Sequence, residues 1–306
     1  MSERLFSIRA LAILLLLATA AGFIWLGSLR HSLENVIGDE GTFMAMTASA
    51  AQDGDLRFDE RDEERIRRQP KGGRWVVILQ QTESGLAYSK PAAFSIMAAP
   101  FQRLAGEPGL VIFNGVMLTL AILVAFEFAR RLGPVDDALL TVVTFVGASC
   151  VMSYVAWRIS DSLQLSLAVI GLTLCVADLQ PAVRPPSSRL GRFLESPWAV
   201  WLGATVLGVV AVMRYPNALL GVGASAAYIL HRRWRRGLAV AAVFALSVVG
   251  MSLINWASTG AVVPYKAKRT SFNIQTGYPV DAESAETEYF AARPATQTMG
   301  VKPTLE

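Results

Sequence analysis

Two adjacent acids, Asp39 and Glu40, follow the first long apolar run of the sequence and are set off by Gly38 and Gly41. A carboxylate at such a boundary can take the proton of an acceptor hydroxyl, provided it is held within hydrogen-bond reach. The same position suits a plainer role, with Asp39 capping the helix that follows. Three cations, Lys90, Arg158 and Arg214, also lie near the ends of apolar runs. Each can pair with a phosphate through charge-assisted hydrogen bonds, arginine being suited to bidentate contact. Each can equally reach toward lipid headgroups while its stem stays in apolar surroundings. Acids and cations recur together, as in Arg158 and Asp161, and this favours a site. Other acidic patterns carry less. Asp53 and Asp55 open like a calcium loop, but Arg57 and Phe58 break its spacing. Asp59 to Glu64 reads as a solvated helix face, and Glu127 can pair with Arg130 or Arg131 one turn on. His31 and His231 stand alone without metal-ligand spacing.

The elements that must position these residues are apolar. The chain of 306 residues is 53% hydrophobic and 17% charged, with a mean hydropathy of +0.41. That is well below the roughly 25% of charged residues expected of a soluble domain. The apolar runs are Leu11–Trp25, Leu110–Phe126, Ala138–Ala156, Ser162–Ala177, Trp198–Met213, Pro216–Leu230 and Leu238–Trp256. Each approaches the roughly 20 residues needed to cross a bilayer as a helix. They predict an all-α polytopic membrane protein of about seven transmembrane helices, with a large loop after the first, at about residues 28–109. Ala18-Thr19-Ala20 resembles a signal-cleavage site, but apolarity continues to Leu26, so an uncleaved anchor is expected. Cys150 and Cys175 fall within predicted spans and read as small apolar residues.

Arginine placement orients the chain. Arg4, Arg9, Arg130, Arg131, Arg184, Arg189, Arg192, Arg232, Arg233, Arg235 and Arg236 all fall on one side of the predicted spans. The short loops of the other side hold only Arg158 and Arg214. The positive-inside rule makes the first side cytoplasmic. The protein is thus expected in the cell membrane, N-terminus cytoplasmic and C-terminus extracytoplasmic. The basic run from His231 to Arg236 then reads as an interfacial anchor to membrane lipids, with no nucleic-acid partner.

Within the outer loop, Thr42 to Ala51 predicts a helix lying along the membrane surface. Asp53-Gly54-Asp55 predicts a turn, and Arg57 to Arg68 a helix supported by opposite charges one turn apart. Trp75 to Leu79 reads as a strand or a core segment, and Ala92 to Phe101 as a membrane-surface or re-entrant helix too short to span.

Taken in order, several short pieces resemble the GT-C class of membrane glycosyltransferases, in the branch related to protein O-mannosyltransferases and aminoarabinose transferases. They are Gly38-Asp39-Glu40, Gln52 to Leu56, Tyr88-Ser89-Lys90-Pro91, Ala99-Pro100-Phe101 and Asn114. Trp157 to Asp161, Met213 to Asn217, Asn255-Trp256, Gly260 and Pro264-Tyr265 follow. The resemblance runs over residues 1–280, which would form the transmembrane domain. Residues 281–306 would be an extracytoplasmic tail or the start of a truncated region. It implies transfer of a sugar from a polyprenyl phosphate donor to a lipid, glycan or protein acceptor outside the membrane, usually with inversion. It places the catalytic acids at Asp39 and Glu40, and substrate contacts at Tyr88, Lys90, Arg158, Asp161, Arg214 and Tyr265. Ser160 departs from the family pattern, which often has proline before the acid. Asp39, Glu40 and Asp161 supply hard oxygen ligands, so a divalent metal is compatible with such a site. The alternatives are a non-catalytic protein that binds polyprenyl lipid, and a lipid or sugar transporter. Transport is disfavoured because the spans carry almost no charge.

Overall fold

The computed structural model describes residues 39–68, 76–82, 85–147, 154–180, 182, 183, 186, 188–264 and 269–273, together with Gly22 and Trp25. The protein is mostly helical. Its helices are α1 (Glu40–Gln52), α2 (Glu60–Arg67), α3 (Ala92–Ala105), α4 (Pro108–Leu132), α5 (Val135–Gly147), α6 (Asp161–Val176), α7 (Arg189–Leu194), α8 (Pro197–Met213), α9 (Ala218–Leu230) and α10 (Trp234–Thr259). Three strands, β1 (Val76–Thr82), β2 (Gly85–Tyr88) and β3 (Arg269–Asn273), form one antiparallel sheet in the order β2-β1-β3.

The sheet corrects the all-α expectation. The β-branched start of β1 favours a pleated strand, and β1 pairs antiparallel with β2 as far as Thr82 and Gly85, the latter at a φ of 115° that side chains rarely adopt. The second partner of β1 comes from far along the chain, with Val76 facing Asn273 and Gln80 facing Arg269. Nothing local in β1 announces that pairing.

The long helices run side by side, and their ends sort into two layers. The starts of α4 and α6 and the end of α8 share one apolar core with α1, α3 and β1, in which Phe43, Phe94, Phe113, Leu163 and Met213 meet. The opposite ends meet around Val124, Ala177, Leu194 and Ala199. Helices α6 and α8 approach closely because glycines face each other. A Cβ on Gly203 would lie 2.8 Å from both the Gly171 carbonyl oxygen and the Cys175 nitrogen. At the sharp passage from α3 to α4, a Cβ on Gly109 would strike the Phe101 carbonyl group.

Helices α4 and α10 are long and apolar enough to cross a membrane, with mean hydropathies of 2.4 and 2.3. At 25 and 26 residues they measure roughly 37 to 39 Å, against a hydrocarbon core of about 30 Å. Helices α6 and α8 are apolar but shorter, and α5 and α9 span 13 residues each. The run Leu11–Trp25 lies outside the described residues except at Gly22 and Trp25.

Helices α1 to α3 with strands β1 and β2 cover one end of the bundle. Helix α1 does not lie along a surface as its sequence suggests: every residue from Glu40 to Ser49 is buried. Its alanines, serines and threonines admit neighbours on all sides. Thr47 Oγ1 bonds Ser95 Oγ of α3 at 3.1 Å, and Thr42 Oγ1 accepts the Ile78 N–H of β1 at 3.0 Å. Helix α3 is the more one-sided, burying Phe94 and Ala98 while exposing Ile96 and Leu104. The cap is tied to the end of α10 by two polar bonds. The Asn255 side-chain carbonyl accepts the Ala92 N–H at 2.9 Å, and Gln80 Nε2 donates to the Thr259 carbonyl at 3.1 Å.

Candidate functional site

Asp39 immediately precedes α1 and caps it in position only, for its side chain makes no bond to the first turn. The carboxylate turns instead to Lys90, with Oδ2 lying 2.5 Å from Nζ. Lys90 reaches this point because β2 delivers it to the short stretch before α3. Its side chain is 6% exposed against 48% for Asp39, so a buried cation meets a carboxylate that remains open to solvent. The Phe43 ring lies under the same ammonium, with its centroid 5.9 Å away.

Glu40 points the other way. It is buried and accepts the backbone N–H of Arg158 at 2.9 Å, fastening the stretch before α6 to the start of α1. The Arg158 guanidinium is buried as well. It lies 3.7 Å from the Glu107 carboxylate, ahead of α4, and 3.4 Å from the Met44 sulfur. Asn114 braces the same stretch from α4, donating to the Trp157 carbonyl at 2.9 Å. The adjacent acids therefore do different work: one binds the 158 region in place and the other presents an oxygen outward.

Asp161 opens α6, where a carboxylate suits the positive end of the helix dipole, and pairs with Arg214 at 2.7 Å. Arg214 itself is 58% exposed, following the end of α8. Beside this pair, Asn217 donates to Gln164 at 3.2 Å, and Gln164 donates to the Ser160 hydroxyl at 3.0 Å. The structure thus brings Asp39 together with Lys90, Glu40 with Arg158, and Asp161 with Arg214, all at the capped end of the bundle.

One expected site residue stands elsewhere. Tyr88 is fully buried inside the cap, packed edge-on against Phe58 with ring centroids 5.6 Å apart. Burial, with Asp62 beside it, pushes its phenol pKa well above the usual value. Tyr265 lies outside the described residues, as does Gly38. Among the described residues, no three acidic, histidine or cysteine groups converge as a metal set. Asp39 and Asp161 each face a cation and Glu40 accepts an N–H, so these acids do not form one cradle.

The sequence reading missed Glu107, Gln164 and the network beneath α2. Asp62 belongs to no solvated face. It is buried, closes a capping box with Asp59, and pairs with Arg65 at 2.7 Å. Arg65 also holds Asp53 at 2.5 Å. Burial raises the Asp62 pKa to about 6, outweighing the Asp59 backbone N–H and the arginine. The Asp59-x-x-Asp62 spacing was the available signal, since a reciprocal cap buries its third helical residue against the loop.

Compared with protein-family models, curated proteins and solved structures, the chain finds no match.

Proposed function

We propose that this protein is a multi-pass membrane glycosyltransferase that moves a sugar from a polyprenyl phosphate to an acceptor hydroxyl at the extracytoplasmic face, with Asp39 as general base. Membrane insertion rests on the apolar surface of the bundle. Leu246, Val249 and Leu253 of α10, Leu219 and Val222 of α9, and Leu140 of α5 are all more than half exposed. Only 11% of the most apolar stretch of α10 is buried by the rest of the protein. In water such faces would leave a large unpaired apolar area. Surrounded by hydrocarbon they are satisfied, and helices are suited to that setting because their backbone bonds close internally.

Orientation follows from the two ends. Arg130, Arg131, Arg189, Arg192, Arg232, Arg233, Arg235 and Arg236 lie at the end opposite the cap, which the positive-inside rule makes cytoplasmic. Strand β3 pairs with β1, so the two must share a side, and the chain between them crosses an even number of times. Six crossings, by α4, α5, α6, α8, α9 and α10, meet that condition.

The observation that carries the catalytic reading is the Asp39–Lys90 pair, an outward carboxylate beside a buried cation at the capped end of the helices. In the displacement, the acceptor oxygen attacks the anomeric carbon and the bond from that carbon to the phosphate oxygen breaks. The phosphate leaves with the bonding electrons, and Asp39 takes the acceptor proton. Lys90 and the exposed Arg214, each held by an acid, are the cations this reading assigns to the departing charge, and fixed cations aimed there lower the barrier. Glu40 and Arg158 are positioning residues.

Asp39→Asn tests this. Asparagine keeps an oxygen for Lys90, and Asp39 is about half exposed, so the fold should lose about 1 kcal/mol or less. Sugar transfer from a synthetic polyprenyl phosphate donor should fall by at least about a hundredfold. Transfer close to that of the parent would sink the assignment. Because Asp39 is already bonded to a cation, the second reading is a lipid-binding protein without catalysis. It predicts donor-lipid binding by the parent with no transfer at all.

A further inference from the structure

The end of the bundle opposite the cap carries a second feature. The turn between α9 and α10 folds Arg232, Arg233, Trp234, Arg235 and Arg236 around a shallow cavity of about 290 Å³. The backbone is bent to make it: Arg232 has a φ of 60°, and it is the one non-glycine residue with positive φ among those described. The arginines divide into two pairs. Arg233 and Arg236 lie 3.3 and 2.6 Å from Asp178, just beyond the end of α6, and fix the turn to the bundle. Arg232 and Arg235 are exposed and pair with no acid among the described residues. Arg235 instead lies over the Trp234 ring, 5.2 Å from its centroid. No acid stands in the first turn of α10. Cations there oppose the helix dipole, and an anion would relieve both.

We infer that this cavity binds the phosphodiester headgroup of an anionic phospholipid in the cytoplasmic leaflet. The flanks point to a lipid rather than a free ion. Trp234 is 56% exposed, and tryptophan favours the boundary between headgroups and hydrocarbon. Ile229 and Leu230, before the turn, and Leu238, after it, are exposed apolar side chains, giving acyl chains a surface to lie on. Basic pockets between membrane helices on the cytoplasmic side suit such headgroups. The site rests on the membrane part of the proposed function and is independent of its catalytic part.

Protein purified in a neutral detergent is the system for the test. Retained phosphatidylglycerol and phosphatidylcholine are counted by native mass spectrometry for the parent, for Arg232→Gln/Arg235→Gln and for Arg189→Gln/Arg192→Gln. The last pair removes the same charge from exposed positions at the same end. The parent should retain phosphatidylglycerol over phosphatidylcholine, and the 232/235 variant should lose about tenfold of that preference. The 189/192 variant should stay within about twofold of the parent, and Arg232→Lys/Arg235→Lys should recover much of the loss. Equal losses in the two glutamine variants would refute a defined site in favour of diffuse attraction. Displacement of the lipid by millimolar inorganic phosphate would refute the lipid assignment. Alkaline carbonate extraction separates the underlying reading: a protein released from membranes refutes insertion itself, whereas a carbonate-resistant protein without the preference refutes this site alone.

Discussion

Replacing Glu40 should damage the fold, whereas replacing Asp39 should damage only the proposed chemistry, although the two residues are neighbours. The Glu40 side chain is buried, and its carboxylate accepts the Arg158 backbone N–H at 2.9 Å. Glu40→Ala removes that acceptor and leaves the Arg158 N–H buried. A hydrogen bond to a charged group is worth about 1.5 to 3 kcal/mol, and an orphaned buried donor costs a similar amount. The loss is one event seen from both sides, so about 2 to 3 kcal/mol is expected, with lost side-chain packing added. Glu40→Gln keeps an oxygen at the same reach, and only the charge is lost, at about 1 kcal/mol. For a protein of this size each kcal/mol moves the melting temperature by roughly 2 to 4 °C. In detergent, Glu40→Ala should therefore melt roughly 5 to 10 °C below the parent, with Glu40→Gln between them and Asp39→Asn near the parent. Loss of monodispersity on heating, followed by size-exclusion chromatography, reads this directly. If Glu40→Ala melted with the parent, the carboxylate would not be holding the 158 stretch, and its positioning role would be wrong.

Three further outcomes are expected. Gly203→Ala places a Cβ against the Gly171 carbonyl and the Cys175 nitrogen, both backbone atoms that cannot rotate away. It should cost about 1 to 3 kcal/mol, measured as a lowered melting temperature, while Gly223→Ala, which meets nothing within 4 Å, should not. Asp62, with its pKa raised to about 6 by burial, favours its neutral form in the folded protein. Its contribution is complete below about pH 4 and lost as pH rises through 6, amounting to about 3 kcal/mol by pH 8. Asp62→Asn should flatten that part of the melting curve against pH, and an unchanged slope would refute the assignment. For topology, a membrane-impermeant maleimide applied to intact cells should label Leu104→Cys on the cap and spare Arg235→Cys until the cells are opened. The reverse pattern would invert the orientation.

The sequence by itself determined the apolar segments, the clustering of arginine at alternate boundaries and the position of two acids after the first run. These are local properties: hydropathy is summed over a window, and charge is read from neighbours. The turn at Gly54, which takes a positive φ, was legible for the same reason, since the backbone restricts which residues fit. Helix α1 shows where that reading fails. Its composition fits a surface helix as well as a buried one, and only the packing of α3 and β1 around it removes it from solvent. The site was decided entirely by such long-range contact. Asp39 meets Lys90 across 51 residues of chain, Glu40 meets Arg158 across 118, and Asp161 meets Arg214 across 53. An acid in the sequence carries no mark of which cation will face it, because partner choice depends on how helices cross and not on spacing. Tyr88 fell into the cap core, and Glu107 joined Arg158, for that same reason. The pairing of β3 with β1, with partners 189 to 197 residues apart, is the clearest case: a single short strand holds its hydrogen-bonding edge open, and only the folded chain supplies the strand that closes it.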